Sequence, residues 1–164
     1  MIKLEKFDKS AYGALLSWVD SEESLMQFAG SHLSYPLTSE QLDRSEKDPN
    51  RYSFSVIEVA TGEHIGHCEA YLQDKSVKLG RVIIGPVSKR GKGFGRQVIV
   101  ALVDFGFKEL GRSTIELNVF DWNAAAIRCY EKVGFRINPG VTFERKVKDQ
   151  TWTALNMVLE REEK

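Results

Sequence analysis

Apolar and polar residues alternate over residues 2–7, the two-residue period of a strand with one face covered. The period lengthens toward that of a helix over 12–19 and 25–28. Thr38, with Gln41 three positions on, has the spacing of a capped helix start, and it predicts a short helix over 38–42. Residues 52–59 and 65–72 are β-branched and aromatic runs separated by Thr61-Gly62-Glu63, which reads as a hairpin. A further run, 76–85, ends at Gly85-Pro86, where strand pairing must stop because proline has no N–H to donate. An apolar helical pattern follows over 94–110 and breaks at Gly111-Arg112; a strand over 114–120 and a second helix from Asn123 come next. Beyond Phe135, Asn138-Pro139-Gly140 carries turn chemistry ahead of two closing segments, 141–147 and 152–159. Antiparallel strands before and after one β-loop-α-β unit predict a mixed α+β fold rather than a doubly wound sheet. At 164 residues the chain fits one domain, 1–164.

Composition removes several function classes. Lys and Arg number 23 and Asp and Glu 23, so no basic surplus points to nucleic acid. No stretch approaches the length of a membrane span, and the first seven residues carry charges where a signal peptide would be apolar, so a cytoplasmic location is expected. Cys68 and Cys129 lie far apart and read as free thiols in a reducing compartment. His32, His64 and His67 have no cysteine companions and no helical spacing, so no metal site is expected.

The densest chemistry lies between the strand ending at Gly85 and the helix after it, in Arg90-Gly-Lys-Gly-Phe-Gly-Arg96. Three glycines let the backbone approach a ligand, a helix N-terminus follows at once, and Arg90, Lys92 and Arg96 add cations; the combination suits a phosphorylated ligand. A P-loop is excluded, because counting from Gly85 puts its second glycine at Arg90 and Gly93 stands where a hydroxyl is required. A dinucleotide loop is excluded as well, because its third glycine falls on Arg96 or Val98.

The spacing that does fit, a basic residue, two others, then Gly-x-Gly as Arg90 to Gly95, resembles the pyrophosphate loop of the GNAT superfamily of N-acetyltransferases. A second motif at the right distance strengthens the resemblance: Asn123-Ala-Ala-Ala-Ile-Arg-Cys-Tyr130-Glu-Lys-Val-Gly-Phe135 is similar to that family's next helix. Together the two cover about a third of the chain, from Arg81 to Phe135, and the overall pattern, with Ile83-Ile84-Gly85 before the loop and this second motif, looks most like the ribosomal-protein-alanine acetyltransferase branch.

The resemblance implies a GNAT-like, mostly antiparallel sheet with a central β-loop-α-β coenzyme-binding unit flanked by helices, and acetyl-coenzyme A as co-substrate. It implies backbone contacts from Val82, Ile83, Ile84 and Gly85 to the oxyanion and pantetheine arm, and amides of Gly91, Lys92, Gly93, Phe94, Gly95 and Arg96 around the pyrophosphate with Arg90 at the basic position. It also implies Asn118 and Asn123 beside the coenzyme and Tyr130 as general acid to the departing sulfur, a role a phenol protonated at neutral pH can fill. Asn123 also reads as a plain helix cap and Tyr130 as a packing residue. Glu69 is the candidate base, since burial in an apolar strand would raise its pKa; Glu116 is placed similarly, and either reads equally as a solvated face. Acceptor specificity falls to 22–37 and 143–152. The partner expected there is an amine, peptide N-termini ahead of small amines, because Asp20, Glu22 and Glu23 form too small an acidic cluster for a polyamine. A homodimer stays open, and a non-catalytic acetyl-coenzyme A sensor is the alternative reading.

Overall fold

The elements run β1 (Ile2–Lys6), α1 (Tyr12–Trp18), α2 (Glu22–Ala29), α3 (Ser39–Glu46), β2 (Arg51–Glu58), β3 (His64–Leu72), β4 (Val77–Ile84), α4 (Phe94–Lys108), β5 (Thr114–Phe120), α5 (Ala124–Val133), β6 (Arg136–Val147) and β7 (Gln150–Glu160). They come from a computed structural model that describes residues 1–162. The strands form one sheet in the order β1-β2-β3-β4-β5-β7-β6, antiparallel at every step except β4 to β5. That exception follows from connectivity: the chain leaves β4, crosses through α4 and returns in the same direction, as a parallel pair requires. The mixed, mostly antiparallel α+β fold expected from the sequence is what forms.

Local chemistry sets the helix starts. The Ser21 hydroxyl accepts from the Ser24 amide and the Ser24 hydroxyl from the Ser21 amide, a capping box that opens α2 earlier than the apolar spacing over 25–28 indicates. Thr38 accepts from the Gln41 amide as its spacing predicts, and α3 continues to Glu46 rather than stopping at 42.

The alternation of β3 divides the molecule. Cys68 and Ala70 point to the face covered by α4, where Val98, Ile99 and Leu102 are buried against Val77, Leu79 and Ile115. Side chains of this size contribute about 1.5–3 kcal/mol each when fully buried. His67 and Glu69 point the other way, under a second core of Phe7, Leu15, Leu25, Phe28 and Leu42 built by α1, α2 and α3. Phe7 meets the His67 ring edge-on at 4.4 Å.

One turn expectation is corrected. Asn138-Pro139-Gly140 does not separate two strands but lies inside β6, where the register jumps from Ile137 opposite Met157 to Thr142 opposite Leu155. Residues 138–141 stand opposite Asn156 alone, and the three extra residues bulge out, with Gly140 at φ 76°. The reversal falls at Lys148-Asp149, in the gap expected between the two closing segments, and Lys148 takes φ 55° there without a glycine or asparagine.

Candidate functional site

β4 and β5 stay paired for only three positions, Val77 with Ile115, Lys78 with Glu116 and Leu79 with Leu117. Past Leu79 the strands part, and β5 continues to Phe120 against β7 alone. The backbone from Gly80 to Ile84 therefore has no partner strand on its β5 side. At the same level β4 bulges, with Arg81 and Val82 both facing Cys68, and Arg81 is driven to φ 47°. A non-glycine residue there costs about 1–3 kcal/mol, so its surroundings must hold it. The Arg81 guanidinium is buried, donates to the Ser45 hydroxyl at 3.1 Å and lies 3.5 Å from the Glu69 carboxylate.

A cleft of about 870 Å³ occupies the parting. Of the residues singled out in the sequence, Glu69, Val82, Asn118, Asn123 and Tyr130 line it together. Ile83 and Ile84 instead pack into the two cores, and the segment 90–96 does not line the cleft. Asn123 caps α5, its side chain accepting from the Ala126 amide at 3.2 Å, so the cap reading and a place on the cleft wall hold together. The Asn118 and Asn156 amide groups lie 2.9 Å apart.

Tyr130 sits on α5 with its ring 6.2 Å from that of Phe135, edge to face. Burial, aided by Cys129 beside it, pushes its phenol up to about 12, so the hydroxyl keeps its proton throughout the neutral range. Both cysteines are free; burial raises both thiols, and Cys68 lies deep in the core.

The glycine loop forms a separate feature at the start of α4. Gly91 and Gly93 take φ of 74° and 85°, conformations open to glycine at little cost, and Gly93 caps the helix with no side-chain acceptor. Backbone amides from Gly91 to Arg96 donate to no protein acceptor among the described residues, while Gln97 N–H begins the helical ladder to Gly93 C=O at 3.2 Å. Six consecutive free donors at the N-terminus of a fifteen-residue helix suit an anion. Arg90 is placed differently from the expectation that it faces phosphate: its guanidinium turns back to the carbonyls of Ile84 at 2.8 Å and Gly85 at 3.0 Å, fastening the loop to the end of β4. Lys89 is likewise held by Glu58 at 2.7 Å. Lys92 and Arg96 remain as the loop's exposed cations. Gly85 is packed under the Trp18 indole, which a side chain there would strike.

Glu69 departs most from the sequence reading. It is 4% exposed, but the expected rise in pKa is reversed. Burial does push the carboxyl up; the hydrogen bond from His67 at 2.7 Å and the charges of His67, Arg81 and Arg51 outweigh it and hold the group below the usual carboxylate range. One oxygen takes Arg51 at 2.7 Å and the other His67, so neither is free to receive a proton from an amine. Sequence reasoning passed over Arg51 and Arg81 as partners of Glu69, and weighed His67 only as a metal ligand. The signal was there: an arginine opening the apolar run that becomes β4's end, and another heading the strand that pairs with the Glu69 segment. Glu116, the other carboxylate considered, accepts from the Ser76 hydroxyl at 3.1 Å and does not line the cleft.

With this geometry in hand, comparison with known proteins is informative. The family model described as acetyltransferase (GNAT) domain matches residues 2–136. The chain is 30% identical over 135 residues to human alpha/beta-tubulin-N-acetyltransferase 9, covering 72% of this chain and 63% of that one. It is 31% identical over 98 residues to aminoglycoside N(6')-acetyltransferase type 1 of Klebsiella pneumoniae, covering 52% and 49%. The chain thus spans about half to two thirds of the length of these curated relatives. Among solved structures, spermidine N-acetyltransferase from Vibrio cholerae in complex with CoA and spermine superposes with a TM-score of 0.82 at 20% identity, covering 98% of this chain and 95% of that one. Aminoglycoside acetyltransferase AAC(6')-Ib in complex with coenzyme A superposes with a TM-score of 0.76 at 22% identity, covering 98% and 95%. At these identities the two structures show the same fold.

Proposed function

The chain belongs to the GNAT acetyltransferase family, and on that premise we propose that it transfers the acetyl group of acetyl-coenzyme A to a primary amine, peptide N-termini ranking ahead of small-molecule amines. The observation that carries this reading is the parting of β4 from β5 with the Tyr130 side chain on the wall of the resulting cleft. Unpaired backbone at Gly80 to Ile84 supplies donors and acceptors that an extended amide-bearing chain can use, as a new strand would. The free amides of Gly91 to Arg96, with Lys92 and Arg96, suit its pyrophosphate. The relatives' names include a tubulin, a spermidine and an aminoglycoside acetyltransferase, all consistent with an amine acceptor. The finer placement in the ribosomal-protein-alanine branch rests on Ile83-Ile84-Gly85 before the loop together with the second motif.

Acetyl-coenzyme A supplies a thioester carbonyl and a thiol leaving group. As the amine nitrogen bonds to the acetyl carbon and the carbon–sulfur bond breaks, the nitrogen gives up a proton to water in the open cleft and the sulfur takes one from the Tyr130 hydroxyl. Complete transfer from a phenol at about 12 to a thiolate of ordinary basicity, about 8.5, is uphill by roughly 5 kcal/mol. Tyr130 therefore acts first as a hydrogen-bond donor to the developing charge, and transfer is completed as solvent reprotonates the phenol. Glu69 is a positioning residue in this reading: it anchors Arg51 and Arg81 and so fixes the β4 bulge. Calorimetry with acetyl-coenzyme A, followed by a free-thiol assay over a panel of amines, tests the proposal. Binding with amine-dependent thiol release supports it; binding with no release across peptides, polyamines and aminoglycosides favours a sensor, and no binding removes the coenzyme altogether.

A further inference from the structure

The cleft is strongly cationic, although the whole chain is neutral. Five permanent cations line it, Arg44, Arg51, Lys78, Arg81 and Arg145, against two carboxylates, Asp48 and Glu69. Both carboxylates are already engaged. Glu69 is taken up by Arg51, His67 and Arg81, and Asp48 accepts from the Asn50 amide at 3.0 Å. Arg44, Lys78 and Arg145 are left without a carboxylate partner among the described residues. These three come from α3, β4 and β6, so they converge on the cleft from different sides. Two of them, Lys78 and Arg145, act on His32, which also lines the cleft: burial first, then the charges of Lys78, Arg81, Arg145 and Arg51 push its imidazole below the ordinary histidine range.

The surplus is not accounted for by the coenzyme's phosphates, which have their own cradle at 91–96, a segment that does not line the cleft. Nor is it offset by the acidic residues near the acceptor segments: Glu23 is paired with Lys148 at 2.8 Å, and neither Asp20, Glu22 nor Glu23 lines the cleft. A pocket with this charge repels a polyamine or an aminoglycoside, each carrying several positive charges. It attracts an acceptor whose own negative charge finds Arg44, Lys78 and Arg145 while its amine reaches the parting of the strands.

Resting on the transferase reading above, we propose that the acceptor is a primary amine carrying a carboxylate close to the amine, supplied either by an acidic residue at a peptide N-terminus or by a free amino acid. The test uses the purified full chain at saturating acetyl-coenzyme A, with thiol release as readout. Acceptors are matched pairs: peptides beginning Asp or Glu against Asn or Gln, and free glutamate against glutaminamide, its diamide with no carboxylate, with spermidine and an aminoglycoside alongside. A charge-assisted hydrogen bond to one arginine predicts that the acidic member of at least one pair has a kcat/KM about 10-fold or more above its neutral isostere. The pair that shows the preference identifies the source, peptide or amino acid. Raising the ionic strength should shrink the preference, and Arg44→Gln or Arg145→Gln should shrink it while acetyl-coenzyme A affinity holds.

A readout independent of turnover is calorimetric binding of N-acetylglutamate against N-acetylglutaminamide, its uncharged diamide, where the charged ligand should again bind about 10-fold tighter. Equal use of isosteres, or a preference for spermidine or the aminoglycoside, with coenzyme binding intact overturns the acidic acceptor and leaves the transferase standing. Failure to bind acetyl-coenzyme A overturns the transferase reading instead, and the two N-acetyl ligands still decide whether the cleft selects an anion; equal binding of the two overturns that as well.

Discussion

Replacing Glu69 by Gln removes one charge and keeps the shape, so it isolates what the buried carboxylate does. In the wild type its oxygens meet Arg51 at 2.7 Å, Arg81 at 3.5 Å and His67 at 2.7 Å, with the side chain 5% exposed. Removing one partner of a buried ion pair costs about 3–5 kcal/mol, because the remaining charges stay desolvated and uncompensated. For a chain of this size each kcal/mol moves the melting temperature by about 2–4 °C, so a drop of roughly 6–20 °C is expected at neutral pH. The pH dependence sharpens the test. Because the folded carboxyl titrates below its ordinary range, its stabilising charge is present above the unfolded value and disappears as pH falls through the folded one. Urea denaturation at pH 7 and again in mild acid should therefore show the gap between wild type and variant narrowing toward acid. A loss below about 1 kcal/mol at pH 7, or a gap that ignores pH, refutes the ionic anchor. A variant as stable as wild type whose turnover nonetheless collapses, together with the loss of one limb of the pH–rate profile, makes Glu69 the general base after all.

Tyr130→Phe keeps the ring and deletes the donor, so acetyl-coenzyme A affinity should survive while single-turnover transfer slows by about 100-fold or more; equal rates would return Tyr130 to a packing role. Gly95→Ala is the cleaner probe of the glycine loop, because a methyl group there meets nothing within 4 Å and the backbone is helical. Its stability should hold or rise by up to about 1 kcal/mol while coenzyme affinity falls at least about tenfold; unchanged affinity by calorimetry removes the loop from the site. Gly93→Ala confounds the question, since φ there is 85° and the strain alone costs about 1–2 kcal/mol. Burial lowers both His32 and His64 below the ordinary 6.5, with neighbouring cations adding to the effect on His32. The unfolded chain then takes up protons that the folded one refuses, so stability should be flat above about pH 6.5 and decline below it; His32→Asn and His64→Gln should each flatten the decline.

Much of the fold was legible because its signals are local. Thr38 with Gln41, Thr61-Gly62-Glu63 and the break at Gly85-Pro86 each act within a few residues, and each falls where the sequence pattern put it. The bulge at Arg81 was not legible: positive φ is normally announced by glycine, and here it is imposed by tertiary contacts from Ser45 on α3 and Glu69 on β3. Asn138-Pro139-Gly140 misled for the converse reason. Its residues do have turn chemistry, but β7 offers a continuous partner on either side, and the sheet absorbs the extra residues as a bulge.

The two halves of the candidate site differ in the same way. An anion cradle made from consecutive backbone amides has to be written contiguously, which is why the segment from Gly91 to Arg96 stands out in the sequence before any strand order is known. The acceptor side is assembled from single side chains on α3, β2, β4 and β6, and no window of sequence contains more than two of its five cations. Net charge made that side harder to see. A total of 23 basic against 23 acidic residues suggests an even surface, yet carboxylates such as Glu23 and Glu58 are paired outside the cleft, with Lys148 and Lys89, and Glu69 within it is already taken up by Arg51. On the proposed reading there is a division of labour that family membership alone does not convey: the motifs that identify the family would specify the donor, and the charge of the cleft the acceptor. Two relatives can therefore share the first completely and take amines of opposite charge, and transplanting the acceptor-side charges, with the glycine loop untouched, should move substrate preference without changing affinity for the coenzyme.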